Sequence, residues 1–261
     1  MNRTTEQTLS KVPEVCLVFW IIKVAATTLG ETGGDAVSMS MNLGYLVGTA
    51  IFSIIFIFAV VAQIKAKQFH PFLYWTTIIA TTTVGTTLAD FADRSLGIGY
   101  AGGSSLLFVL LMASLAIWYW SLGSVSIDTV SSPAVEMFYW VTIMFSQTLG
   151  TALGDWTADT AGLGYGGSAI LFIALLGLVV AAHYWTKISR TLLFWAAFIL
   201  TRPLGAVVGD FLDKPIRSGG LALSRYSASA VLLVIIIACV LIFEQRPAKS
   251  SGHSKPLTEN D

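Results

Sequence analysis

The chain has 261 residues, of which 55% are hydrophobic and only 11% charged, with a mean hydropathy of +0.74. A water-soluble domain of this size carries about 25% charged residues, so the composition excludes an ordinary soluble core and points to a polytopic membrane protein whose main partner is the lipid bilayer. The formal net charge is zero, which supplies no basic surface for nucleic acid and no field for an acidic substrate.

In chain order, Arg3 and Lys11 precede the apolar run "VCLVFWIIKVAA". No clean small-x-small cleavage site follows and Lys23 interrupts the run, so it reads as a retained first helix rather than a leader. The run carries "FW" at 19–20 and leads into "TLGETGGD" at 28–35, then "LGY" at 43–45 and an apolar span over 44–64. A second set follows: "YW" at 74–75, "TVGTTLAD" at 83–90, "IGY" at 98–100 and a span over 104–120. The third has "YW" at 139–140, "TLGTALGD" at 148–155, "LGY" at 163–165 and a span over 168–186. The fourth has "FW" at 194–195 and "PLGAVVGD" at 203–210, but "KPIRSGGLALSRY" delays its tyrosine, and the last span covers 226–243.

The central motif glycines, Gly30, Gly85, Gly150 and Gly205, are spaced by 55, 65 and 55 residues, so the two halves are offset by 120. This is the signature of a unit duplicated twice. The expected fold is all-α, a polytopic membrane helical bundle of eight transmembrane helices made from four two-helix repeats in two tandem halves. The repeats fall at about 13–65, 70–121, 133–186 and 190–243 in one membrane domain, with a flexible tail over 244–261 on the cytoplasmic side. Two helices per repeat return the chain to its starting side, so all four motifs belong to one face. The tails and inter-repeat loops carry Arg3, Lys11, Lys65, Lys67, Lys187, Arg190, Arg246, Lys249 and Lys255, against Arg94, Lys214, Arg217 and Arg225 on the motif side. That imbalance predicts cytoplasmic termini and outward-facing motifs.

Counting from the motif glycine, position −2 holds Thr28, Thr83, Thr148 and Pro203, and position +1 holds Glu31, Thr86, Thr151 and Ala206. Position +5 is always aspartate: Asp35, Asp90, Asp155 and Asp210. Offsets of three, four and seven residues share one helix face, so a helix continuing through the motif presents a polar stripe. Beside it run Gly30/Gly34, Gly85/Ala89, Gly150/Gly154 and Gly205/Gly209, small-xxx-small pairs that let helices approach closely in lipid. The expectation is a central bundle with four converging aspartates near its outer end. Asp93, Asp159 and Asp213 follow and are expected in loops. Lys23 and Arg202 lie within spans, where a cation needs a partner, and are expected to pair with motif carboxylates. Pro203 predicts a kink after Arg202.

Carboxylates and threonine hydroxyls are hard oxygen ligands, suited to Mg²⁺, Ca²⁺, Mn²⁺, Na⁺ or protons. His70, His183 and His253 accompany none of the motifs, and Cys16 and Cys239 have no metal or redox spacing. The expected metal site is therefore Asp35, Asp90, Asp155 and Asp210, with Glu31, Thr86 and Thr151 completing an ion-binding set and no organic cofactor.

The repeated TLGxxxGD unit, with a tryptophan ten residues before the glycine and "LGYGGS" after it, resembles a family of bacterial inner-membrane proteins described only as uncharacterised membrane or membrane-anchored proteins. The resemblance covers about residues 13–243 and implies a multi-pass bacterial inner-membrane location without a defined activity. Repeated acidic motifs on close helices are also similar to those of cation exchangers and manganese exporters, although Glu31-Thr-Gly-Gly-Asp35 is one residue longer than the exporters' Glu-x-Gly-Asp. The leading expectation is a gradient-driven secondary transporter of a small inorganic ion, with Mn²⁺ first among hard cations and Na⁺ or H⁺ as coupling ions. The alternatives are a non-transporting sensor or assembly protein and, third, an intramembrane enzyme with paired carboxylates as acid and base. A homo-oligomer is compatible with each.

Overall fold

The computed structural model describes residues 10–248. Arg3, Lys249, His253, Lys255 and most of the tail expected at 244–261 lie outside the described residues. The described residues form eight α-helices: α1 (Leu17–Asp35), α2 (Tyr45–Lys65), α3 (Pro71–Asp90), α4 (Tyr100–Leu122), α5 (Pro133–Asp155), α6 (Gly164–Trp185), α7 (Arg190–Asp213) and α8 (Arg225–Ile242). Each repeat contributes two. α3 and α5 open on proline, whose fixed φ and missing N–H suit a first helical turn. α7 runs through Pro203 as one continuous element.

The motifs are helical to their last residue. In the first three repeats the helix then widens into one π-helical turn, Ala36–Ser40, Phe91–Ser95 and Trp156–Thr160. The recurring "GY" pairs mark where the next helix starts. Gly44, Gly99 and Gly164 have φ of 78°, 79° and 64°, a left-handed backbone that costs glycine little. The second helices of the middle repeats therefore begin four residues earlier than hydropathy alone predicts, at Tyr100 and Gly164. The fourth repeat lacks both the π turn and the "GY" glycine. Its connector forms a 3₁₀ turn, Ile216–Ser218, with Gly219 at φ 85°.

The first helix of every repeat lies inside. α1 packs on α3, α3 on α5, α5 on α7 and α7 back on α1, so the four close a ring. The second helices form an outer sheath, but each rests on the following repeat: α2 on α3, α4 on α5, α6 on α7, and α8 on α1. Within a repeat the two helices scarcely touch. The motif glycines make this close approach possible. A Cβ on Gly30 would meet the Thr82 side chain, one on Gly85 the Gln147 backbone at 2.9 Å, one on Gly150 the Arg202 side chain, and one on Gly205 the Thr27 side chain. Thr27, Thr82, Gln147 and Arg202 all stand three residues before their own glycines. Each glycine thus receives the −3 residue of the next inner helix around the ring, a four-fold use of small-residue packing. The +4 positions repeat the rule one turn on: Gly34 against Thr86, Gly154 against Ala206, Gly209 against Glu31.

At the end opposite the motifs the ring is filled with aromatics. Phe19, Tyr74, Trp75, Tyr139, Trp140, Phe194 and Trp195 are buried and meet in edge and tilted contacts. The Tyr74 and Tyr139 hydroxyls hydrogen-bond at 2.7 Å. Beneath them Val12 and Lys11 cross the end of the bundle. Lys11 Nζ pairs with Glu136 at 2.6 Å and donates to the Gln63 and Ile64 carbonyls, and Pro13 bridges Pro247.

Among the described residues five helices, α2, α4, α6, α7 and α8, are long and apolar enough to cross a membrane. The sheath helices α2, α4, α6 and α8 expose most of their apolar surface, whereas α7 is largely buried in the ring. Apolar side chains facing outward around a polar-lined interior are the inverse of a soluble bundle and mark a membrane protein. The motif threonines, glycines and acids dilute the hydropathy of α1, α3 and α5, which nonetheless lie inside that sheath.

Candidate functional site

The polar stripe faces the axis of the ring, in layers set by the repeat. One layer holds the +1 residues. Glu31, Thr86 and Thr151 come together there, and the fourth repeat fills the gap left by Ala206 with the Arg202 side chain from one turn below. Arg202 is fully buried. Its Nη1 and Nη2 both donate to Glu31 Oε2 at 3.1 Å. Nη2 also donates to Thr86 Oγ1 at 2.6 Å, to the Thr82 carbonyl at 3.4 Å and to Thr151 Oγ1. Thr86 Oγ1 lies 3.2 Å from Glu31 Oε2, able to donate to it. A guanidinium offers five fixed donors, and the ring supplies acceptors from three different helices, one for Nη1 and the rest crowded around Nη2.

The next layer toward the motif end holds the four aspartates. They are buried and are joined in neighbouring pairs by two cations. Arg94 reaches Asp90 (2.9 Å) and Asp155 (3.4 Å); Lys214 reaches Asp210 (2.8 Å) and Asp35 (2.6 Å). Each cation stands four residues after the aspartate of its own repeat and binds the aspartate of the next. Arg225 at the start of α8 completes the cluster, with Nε 2.6 Å from Asp213 and Nη2 3.7 Å from Asp35. Burial works against the charge on Lys214, but Asp210, Asp35 and Asp213 outweigh it and hold the ammonium above the usual lysine range. Arg94 follows the same logic, with Asp90 and Asp155 overcoming desolvation.

Two groups of three carboxylates place one oxygen each within 4.8 Å of the others: Glu31, Asp35 and Asp90, and Asp35, Asp210 and Asp213. Asp155 joins neither, so among the described residues the four motif aspartates share cations rather than a single ligand sphere. Asp35 Oδ1, Asp90 Oδ2 and Asp155 Oδ1 are buried without a hydrogen-bond partner among the described residues.

Three sequence expectations need correction. Lys23 is not a charge partner of the motif acids: its Nζ is fully buried, forms no ion pair among the described residues, and lies 4.2 Å from the centre of the Phe198 ring. Twelve residues of helix separate it from Asp35, about 18 Å at 1.5 Å per residue, far beyond a lysine's reach. Its own layer is Ile78, Ile143 and Phe198, each seven residues before a motif glycine and fully buried. Second, none of the three following aspartates is a loop residue: Asp93 and Asp159 lie in the π-helical turns that extend α3 and α5, and Asp213 is the last residue of α7, buried and paired with Arg225. Third, Arg94, Lys214 and Arg225 read as topology-setting surface charges in the sequence, yet they neutralise the aspartate layer. The signal for two of them was present: Asp90–Arg94 and Asp210–Lys214 are i,i+4 pairs, a spacing that brings side chains together on a helix.

Comparison with known families adds one result. The chain belongs to the family described as Repeat of Unknown Function (DUF347), which matches four times, over residues 18–69, 73–124, 138–189 and 193–243. These matches coincide with the four two-helix units. No curated protein and no solved structure matches the chain.

Proposed function

We propose that this four-repeat member of the family is a secondary transporter for a hard cation, with Mn²⁺ as the first candidate and a proton or Na⁺ gradient as the driving force. In this reading all eight helices span a bacterial inner membrane, both ends of the bundle's chain lie in the cytoplasm, and the aspartate layer opens outward. The observation that carries it is the charge balance of the buried cluster. Glu31, Asp35, Asp90, Asp155, Asp210 and Asp213 give six carboxylates, against four cations, Arg94, Arg202, Lys214 and Arg225. Ionised side chains within a membrane are costly unless neutralised, and the excess of two negative charges is balanced by one divalent cation or two protons. Oxygen-only ligands select hard ions over copper or zinc. Internal repeats commonly set a substrate site at their interface, and here the site lies where four inner helices meet.

Transport then requires the opposite end to open. After leaving the aspartates an ion must pass the buried Arg202 layer and the layer of Lys23 and Phe198 before it meets the aromatic layer with the Tyr74–Tyr139 contact. The test is Asp90→Asn and Asp155→Asn, with ion flux followed in reconstituted vesicles for Mn²⁺, Mg²⁺, Ca²⁺, Na⁺ and H⁺. Loss of flux for one ion is expected. Flux unchanged from wild type for every ion refutes the reading.

A further inference from the structure

The pseudo-four-fold repeat invites a symmetric site made of four equivalent aspartates. The ion pairs break that symmetry. In the second carboxylate group the protein supplies its own cation: the Lys214 ammonium sits 2.6 Å from Asp35, 2.8 Å from Asp210 and 3.9 Å from Asp213. An ammonium on three converging carboxylates stands where a cation ligand would. It arrives from the fourth-repeat connector, the one that lacks the π turn, and Arg225 braces Asp213 from the far side.

The first group is arranged differently. Glu31, Asp35 and Asp90 each give one oxygen to a separate cation: Glu31 Oε2 to Arg202, Asp35 Oδ2 to Lys214, Asp90 Oδ1 to Arg94. Asp35 Oδ1 and Asp90 Oδ2 take part in no ion pair and no hydrogen bond among the described residues, although both side chains are at most 2% exposed. A buried carboxylate oxygen left in this condition is costly, and both side chains belong to the group in which Glu31, Asp35 and Asp90 each bring one oxygen within 4.8 Å of the others. From this we infer that the Glu31–Asp35–Asp90 group is a single site for a divalent cation, and that Lys214, through the shared Asp35, is a tethered competitor that sets its affinity. The inference rests on the cation reading above but concerns binding, which can be measured without transport. Asp155 and Asp210 belong to the supporting ion pairs and are positioning residues.

The experiment is Mn²⁺ binding to the detergent-purified full chain, followed by the loss of the free-ion electron paramagnetic resonance signal. One Mn²⁺ per chain is expected. Asp90→Asn and Glu31→Gln weaken binding about 100-fold or more, the upper range for disturbing a metal site's supporting shell, while Asp155→Asn weakens it less than about tenfold. Lys214→Met tightens it by about tenfold or more, as expected when a unit charge a few Å away is removed at an effective dielectric of about 20. This last variant predicts a gain, so misfolding cannot mimic it. Two equivalent sites per chain, equal losses for all four motif aspartates, weaker or unchanged binding in Lys214→Met, or no saturable binding of Mn²⁺, Mg²⁺ or Ca²⁺ by the wild type overturns the inference. Binding as described without flux in vesicles leaves it standing and refutes transport alone.

Discussion

Arg202 offers a direct test of how the ring is held together. Its guanidinium donates two hydrogen bonds to Glu31 Oε2 at 3.1 Å and further bonds to Thr86, Thr151 and the Thr82 carbonyl, all in a fully buried layer. Removing one member of a buried ion pair costs about 3–5 kcal/mol, chiefly because the other charge is left uncompensated. Arg202→Met leaves Glu31 in that position, with only the Thr86 hydroxyl in reach. Replacing both partners by apolar residues removes the uncompensated charge, so Arg202→Met combined with Glu31→Leu is expected to be more stable than either single variant. For a chain of this length about 3–5 kcal/mol corresponds to a fall of about 6–20 °C in Tm. The assay is thermal unfolding in detergent, read by the fluorescence of the buried Trp75, Trp118 and Trp140. If the double variant loses as much as the two singles combined, the layer is held by packing around Arg202 and the electrostatic argument fails.

Other variants test separate parts of the structure. Gly85→Ala places a Cβ 2.9 Å from the Gln147 backbone carbon and should cost about 1–3 kcal/mol by overpacking, whereas Gly33→Ala meets nothing within 4 Å and should stay within about 0.5 kcal/mol of wild type; equal Tm values would refute the ring geometry. Tyr74→Phe should cost about 1 kcal/mol for the lost 2.7 Å hydrogen bond, with the second change, Tyr139→Phe, costing less on that background than alone. Lys23→Met, which removes a buried cation lacking an ion-pair partner among the described residues, should hold or raise Tm, the opposite of Arg202→Met; a fall comparable to that of Arg202→Met would reveal a missed partner. Because the folded-state pKa of Lys214 is raised, its contribution is complete below the unfolded value of about 10.4 and is lost only as pH climbs through the higher folded value. The Tm difference between wild type and Lys214→Met should therefore not narrow from about pH 8 to 9.5, and a difference that closes in that interval would contradict the ion pairs.

Much of this architecture is legible along the chain because the repeat aligns equivalent residues. Four copies of one motif fix which positions are shared, and helical spacing then separates the small face, Gly30 and Gly34, from the polar face, Glu31 and Asp35. What the spacing cannot give is the neighbour. Gly150 announces a close approach, but nothing local says that Arg202 from the following helix fills it. Arg94 and Lys214 show the same limit. A topology count treats them as charges outside the membrane, whereas the π turn and the fourth connector fold them back over the aspartates. Lys23 misleads for the opposite reason: its burial is evident from its place in the run, yet its surroundings, Ile78, Ile143 and Phe198, come from three other repeats. Carboxylate partners are chosen by layer, and layer depends on how the helices are registered against each other.

The displaced packing of the sheath has a consequence for what kind of object the chain is. Since α2 rests on α3, α4 on α5, α6 on α7 and α8 on α1, no repeat is a unit that could fold by itself; each is an open arm that clasps its neighbour. Four is the number at which the last clasp meets the first and the assembly stops growing. Such a circle has no privileged starting point. A circular permutant opened in the long loop at 123–132 and joined where Pro13 meets Pro247 would keep every clasp, and two half-chains would close the same circle as a dimer. Within that circle Arg94 and Lys214 recur once per half. Each of them also reaches an aspartate of the other half, Arg94 to Asp155 and Lys214 to Asp35, so the charge layer is complete only when the whole circle closes, although its smallest folding pattern is a quarter.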